Sequence, residues 1–118
     1  MKKINIYAKL SLLVLTGSII TLSACDNQSE EAHNEAIKNG LDALISENYD
    51  KAEVYFEIAS EEKDNDERTQ TLLAQTVSFN QAKKLFNEGD LMKASEKAQK
   101  VVGLSNGSEA LVEKASAL

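Results

Sequence analysis

The chain has 118 residues, of which 13 are basic and 19 acidic, and it contains no proline, no tryptophan and one cysteine. A chain of this length forms one small domain, and a single cysteine excludes an intrachain disulfide. The acidic excess leaves no basic surface for phosphate groups, so we expect no nucleic-acid partner.

The first 24 residues are typical of an export signal. Three lysines within the first nine residues precede an uncharged, mostly apolar run from Leu10 to Ala24. A basic start, an apolar middle and small residues at the end are the three parts of a secretory signal peptide. The apolar run is shorter than the about 20 residues that a membrane-spanning helix needs. We therefore predict a cleaved signal helix over residues 1–24.

The end of this segment resembles the lipobox of bacterial lipoproteins, with Leu22, Ser23 and Ala24 followed by Cys25. The resemblance implies that the Cys25 sulfur carries diacylglycerol through a thioether and that the chain is cleaved between Ala24 and Cys25. It also implies a location at the cell membrane, on the extracytoplasmic side, where acyl chains on Cys25 make the membrane contact. A buried thiol is the alternative for a lone cysteine, but the polar residues that follow at once offer nothing to bury it.

Residues 25–33 are predicted to form a flexible tether. The segment after the cysteine is polar and acidic and shows no apolar periodicity, which is typical of chain without regular structure. His33, the only histidine, lies at its end. We therefore expect the His33 side chain to be exposed to solvent.

Residues 34–118 are predicted to form an all-α domain, because apolar residues recur there at helical spacing in successive stretches. Two tandem helix-turn-helix hairpins followed by a short C-terminal helix account for the pattern. The third stretch is long and predicts one helix from about Asp66 to Asn87, and the last helix begins at about Ser108. Turns are expected at Asn48, at Glu88-Gly89-Asp90 and at Asn106-Gly107-Ser108.

The two hairpins repeat at an offset of 42 residues, which places Gly40 on Ala82, Tyr49 on Leu91 and Ala52 on Ala94. This register resembles the tetratricopeptide repeat, whose period is about 34 residues. The extra eight residues are about two helical turns, and we place them before Ser78. Chance similarity between two helical hairpins is the alternative. The resemblance implies that the paired helices pack through Gly40, Tyr49, Ala52, Phe56, Ala59, Ala82, Leu91 and Ala94.

The same resemblance implies where a partner binds, because ligands of that family lie against the first helix of each repeat. The matching positions here are Asn34, Ile37, Leu41, Thr76, Phe79, Lys83 and Asn87. Ile37, Leu41 and Phe79 have an alternative role in the core, whereas the polarity of Lys83 and Asn87 has no packing purpose. Asn34, Lys83 and Asn87 are therefore the candidate partner-binding residues.

The short C-terminal helix has two interpretations. It caps the stack, since repeat stacks need a terminal element with a polar outer face. Alternatively, it begins a third repeat and leaves an apolar edge for another protein to cover. The first interpretation is preferred at this point.

The sequence offers no catalytic set, and we expect no enzyme activity, no cofactor and no metal site. One histidine and one acylated cysteine cannot supply a nucleophile with an ordered base or a zinc site. The acidic run of residues 61–67 lacks the features of a calcium loop, since Thr69 stands where glycine is required and Gln75 where glutamate is required. A solvated turn in which Asp64 or Asp66 caps the following helix explains the run.

These observations predict a membrane-anchored, non-enzymatic adaptor that binds another protein or a peptide at the bacterial cell envelope. An exclusion or immunity lipoprotein of a mobile element, which blocks entry of phage, plasmid or toxin, is the alternative. A secreted peptide derived from the cleaved signal segment is a third possibility. The oligomeric state stays open.

Overall fold

The computed structural model describes residues 27–118, and every regular element in that range is an α-helix. The predicted all-α fold is confirmed, with two hairpins followed by a short C-terminal helix. The predicted signal helix and the lipobox residues lie outside the described residues. The five helices are α1 over residues 27–45, α2 over Tyr49–Glu62, α3 over Glu67–Asn87, α4 over Leu91–Gly103 and α5 over Glu109–Ser116.

Polar side chains fix the starts of four helices. The side chain of Asn48 accepts a hydrogen bond from the Lys51 amide, and that of Asp66 accepts from the amide of Arg68. Such caps satisfy backbone donors that have no partner within the helix. Asp90 and Ser108 cap α4 and α5 in the same way. The predicted long helix and all three predicted turns are confirmed, and Asp66 rather than Asp64 is the cap of α3.

The structure repeats at the predicted offset of 42. The caps Asn48 and Asp90 are 42 positions apart, and so are the caps Asp66 and Ser108. The residue before Asn48, Glu47, has φ 58°, and its counterpart Gly89 has φ 84°. Both hairpins therefore turn through the same left-handed position, and α5 begins where a third long helix is expected.

Small residues let the paired helices approach closely. A Cβ atom built on Gly40 would lie 2.4 Å from the Phe56 ring, so only glycine fits there. The second hairpin meets the same requirement with Ala82 opposite a smaller residue, Ala98, and both are buried. Seven of the eight predicted packing residues are buried, but Leu91 is 60% exposed, so its assignment to the packing between the paired helices was wrong. The described residues contain no helix long and apolar enough to cross a membrane.

The described part of the predicted tether is helical, because α1 already includes residues 27–33. His33 is 4% exposed, so the expectation of a solvated side chain was wrong. Its Nδ1 lies 2.8 Å from the Ala59 carbonyl oxygen, and its Nε2 lies 3.2 Å from an Asp66 carboxylate oxygen. The two ring nitrogens therefore contact α2 and the start of α3. We call this set the His33 contact.

The Asp66 carboxyl in this contact has a lowered pKa. Burial raises the pKa, but the backbone amides of Thr69 and Arg68 and the His33 ring outweigh burial and bring it below its usual value. The carboxylate thus caps α3 and at the same time binds α1. It joins the start of one repeat to the body of the preceding one.

Gln75 makes the corresponding contact in the second repeat, 42 positions after His33. Gln75 is fully buried, and its Nε2 donates to the carbonyl oxygens of Val101, at 3.4 Å, and Leu104, at 3.1 Å. Its Oε1 accepts from the Ser108 amide at 2.7 Å. Val101 matches Ala59 and Ser108 matches Asp66. This Gln75 contact therefore joins α3, α4 and the start of α5, as the His33 contact joins α1, α2 and the start of α3.

Candidate functional site

A groove lies where the end of α3 meets the start of α2 and the end of α5. Its volume is about 430 Å³. We call it the lysine groove, because two lysine side chains stand at its wall. It is lined by Glu47, Tyr49, Phe79, Lys83, Phe86, Asn87, Lys114, Ala117 and Leu118.

Two aromatic rings form the floor of the lysine groove. Tyr49 and Phe79 are 8% and 3% exposed, and their rings meet edge to face with centroids 4.7 Å apart. The Asn80 side chain donates to the Tyr49 carbonyl oxygen and to a Glu53 carboxylate oxygen, at 3.2 and 2.6 Å. This contact between α2 and α3 therefore holds the floor in place.

Lys83 lies over this floor. Its Nζ is 4.7 Å from the Tyr49 ring centroid and 5.9 Å from that of Phe79. Aromatic faces attract a cation at such distances. Within the described part of the chain no carboxylate forms an ion pair with Lys83. The ring faces thus orient a positive charge that forms no direct ion pair, and this charge helps to lower the pKa of the Glu47 carboxyl in the same groove.

Lys114 on α5 stands at another wall and binds the Glu47 carboxylate at 2.5 Å. The hydrogen bond and the charge of Lys114 lower the pKa of Glu47, and the same contact raises the pKa of Lys114. Burial and the charge of Glu47 raise the pKa of the Tyr49 hydroxyl. Both members of the ion pair are exposed, so the pair contributes little to stability. It joins α5 to the turn between α1 and α2.

The structure brings two of the three candidate partner-binding residues together, since Lys83 and Asn87 both line the lysine groove. Asn34 is exposed on α1 and does not line it. The other positions implied by the resemblance serve packing. Thr76 is fully buried and donates to a backbone carbonyl, which removes it from any partner surface. Ile37 and Leu41 pack against the core, and Phe79 forms the groove floor.

Sequence reasoning missed most of the groove wall. Tyr49 was assigned only to helix packing, and Lys114 and Leu118 were not singled out. Lys114 is 67 positions from its partner Glu47, so no local pattern connects the two. Only the return of α5 onto the first hairpin brings them together.

A second groove, about 570 Å³ in volume, lies along α4 beside α5. We call it the α4–α5 groove. Leu91 and Val102 line it and are 60% and 46% exposed, and Phe86 and Leu118 are shared with the lysine groove. The remaining wall is formed by small or uncharged polar residues, Ala94, Ser95, Ala98, Gln99, Gly103, Ala115 and Ser116.

Residues 27–118 contain no cluster of three side chains suited to hold a metal ion. Comparison of the chain with protein-family models, with curated protein sequences and with solved structures gives no match. The candidate sites therefore rest on the chemistry of the two grooves.

Proposed function

We propose that this protein is a lipid-anchored adaptor with a tetratricopeptide-like body, which binds a segment of another envelope protein or a peptide in the lysine groove. The observation that carries the proposal is the Lys83 ammonium, which is held over two aromatic rings at the wall of an open groove and forms no direct ion pair among the described residues. A positive charge beside apolar surface is suited to recognition, because it fixes the orientation of a ligand whose apolar part supplies affinity.

The groove favours a segment of mixed character. Phe86 and Leu118 are 47% and 38% exposed and offer apolar surface to a side chain of the partner. Lys83 offers hydrogen bonds to a carboxylate or carbonyl oxygen of the same segment, and the Asn87 amide offers both a donor and an acceptor. The four side chains lie within one groove, so a short stretch of the partner can meet all of them.

Membrane attachment through Cys25 belongs to the same proposal. It is supported by the charged and apolar start of the chain and by the lipobox-like residues before the cysteine. Acyl chains on Cys25 would hold the protein at the membrane, since two or more chains give stable anchoring. The acidic body is repelled by anionic headgroups, so it would stand away from the membrane surface.

The binding proposal is tested by site-directed photo-crosslinking in cells, with a photoreactive residue in place of Phe86. We expect a discrete cross-linked product that Lys83→Glu reduces about ten- to a hundredfold, because a charge-assisted hydrogen bond contributes about 1.5 to 3 kcal/mol. Lys84→Glu is the matched control, since Lys84 is exposed next to Lys83 but does not line the groove. Identical products from both variants and from the unaltered protein would contradict the proposal.

The anchor is tested separately by mass spectrometry of the protein from a membrane fraction. We expect a chain that starts at Cys25 and carries acyl chains, and a Cys25→Ala variant that leaves the membrane fraction. An unmodified chain that retains residues 1–24 would contradict the anchor and leave the groove proposal standing.

A further inference from the structure

Two asparagines of the chain, Asn39 and Asn106, are followed by glycine. An asparagine before glycine is the one that loses ammonia most readily, because glycine has no Cβ to hinder attack of its backbone nitrogen on the asparagine side chain. All other asparagines precede larger residues. The sequence therefore contains two chemically equivalent candidates for this reaction, and the fold places them in different surroundings.

Asn39 and Gly40 lie in the interior of α1. Backbone amides in a helix donate to the carbonyl oxygen four positions earlier, so the Gly40 nitrogen belongs to the helical ladder. Gly40 is also buried, and a Cβ built on it would overlap the Phe56 ring. Attack on the Asn39 side chain requires Gly40 to leave both the helix and this packing. The first pair is therefore protected while α1 is intact.

Asn106 and Gly107 lie in the turn between α4 and α5. Asn106 is exposed and has φ 69°, in the left-handed region that asparagine tolerates better than most residues. Among the described residues, neither the Asn106 side chain nor the Gly107 amide forms a hydrogen bond. The side chain is therefore free to rotate toward the Gly107 nitrogen.

The start of α5 explains why these two residue types stand in the turn. The Oε1 atom of Gln75 accepts from the Ser108 amide at 2.7 Å. A Cβ built on Gly107 would overlap this oxygen, so only glycine lets the chain pass the Gln75 side chain. The left-handed φ before it favours asparagine or glycine. A reactive pair is thus a consequence of the turn geometry.

We propose that Asn106 is a site of spontaneous covalent modification in the folded protein, which converts it to aspartate and isoaspartate. The Gly107 nitrogen forms a bond to Cγ of Asn106, and the bond from Cγ to the side-chain nitrogen breaks. That nitrogen leaves as ammonia and takes the proton of the Gly107 amide. Water then opens the cyclic imide at either carbonyl carbon. No atom is oxidised or reduced, and the net change is ammonia lost and water gained.

The two products differ in their effect on α5. Isoaspartate lengthens the main chain by a methylene group just before Ser108, which shifts the Ser108 amide away from Gln75. Gln75 is fully buried, so its oxygen then lacks a donor. Aspartate keeps the main-chain length and adds a negative charge before the start of α5, where the helix dipole favours it. The inference concerns this turn alone and does not depend on the proposed function.

The reaction is measured on the purified full chain in detergent, incubated at physiological temperature and mapped by mass spectrometry with electron-transfer fragmentation, which separates aspartate from isoaspartate. We expect Asn106 to convert about tenfold faster than Asn39 or more, since Asn39 reacts only through local opening of α1. In denaturant the two should convert at similar rates. Asn106→Gly is the control, because glycine keeps the left-handed position and cannot react.

Amide hydrogen exchange of the incubated protein measures the structural effect. We expect faster exchange at Ser108 and at the start of α5 in the isoaspartate fraction, and no change in incubated Asn106→Gly. An Asn106 that stays unmodified in the folded protein but reacts in denaturant would overturn the proposal. Equal rates at Asn39 and Asn106 in the folded protein would also overturn it, because the fold would then not select the site. Unchanged exchange in the isoaspartate fraction would refute the effect on the Gln75 contact.

Discussion

Replacing Gln75 by leucine should be among the most destabilising single substitutions in this protein. The side chain is fully buried and makes hydrogen bonds with Val101, Leu104 and Ser108. Leucine has a similar volume but leaves the Ser108 amide and the Leu104 carbonyl without their partners. A fully buried polar group that loses its partner costs about 1 to 3 kcal/mol. Leu104 and Ser108 are half-buried, so water offsets part of this cost, and the two losses together lower the free energy of unfolding by about 2 to 4 kcal/mol.

Chemical denaturation followed by far-UV circular dichroism measures this change in the free energy of unfolding. In a thermal melt followed in the same way, the melting temperature should fall by roughly 10 to 20 °C, at about 5 °C per kcal/mol for a domain of this size. Gln81→Leu is the matched control, since Gln81 lies on the same helix and is exposed. A Gln75→Leu protein as stable as Gln81→Leu would refute the reasoning that the Gln75 contact holds the turn between α4 and α5.

Two further predictions concern the first hairpin. Gly40→Ala should destabilise the protein by about 1 to 3 kcal/mol, because the added Cβ would lie 2.4 Å from the Phe56 ring. Gly103→Ala is the control in the same denaturation assay. Its added Cβ meets open space, so the substitution should be neutral or slightly stabilising. The lowered pKa of Asp66 means that its carboxylate contributes stability above the usual carboxyl pKa and loses that contribution as the pH falls through the folded-state value. Asp66→Asn retains an N-cap and should flatten the decline in stability at acid pH. An unchanged decline would show that the Asp66 carboxylate carries no such dependence.

The helices could be predicted from the sequence because their signals are local. The spacing of apolar residues marked the helical stretches. Capping side chains stand at four helix starts, namely Asn48, Asp66, Asp90 and Ser108. These side chains act within three residues of their own position. The period of 42 was also readable, because matched helix starts in the two hairpins are separated by a constant number of residues.

The errors arose where contacts are distant in sequence. His33 stands in a polar stretch, yet its partners Ala59 and Asp66 are 26 and 33 positions away. Leu91 has the residue type of a core position, but burial also requires a covering helix. Only part of the candidate site was predicted, because some of its residues meet through contacts that are distant in sequence. Lys83 and Asn87 lie one helical turn apart on α3, whereas Tyr49 and Lys114 reach the groove only through the packing of other helices.

The repeated polar contacts explain why the period is constant. Near the ends of α2 and α4, the carbonyl groups of Ala59 and Val101 already accept backbone hydrogen bonds, from Lys63 and Leu104. A side chain of the preceding long helix adds a second donor to that carbonyl, at position 33 in one repeat and 75 in the next, and also binds the start of the following helix. One residue thus fixes three elements, and a shift of the period would break two contacts at once.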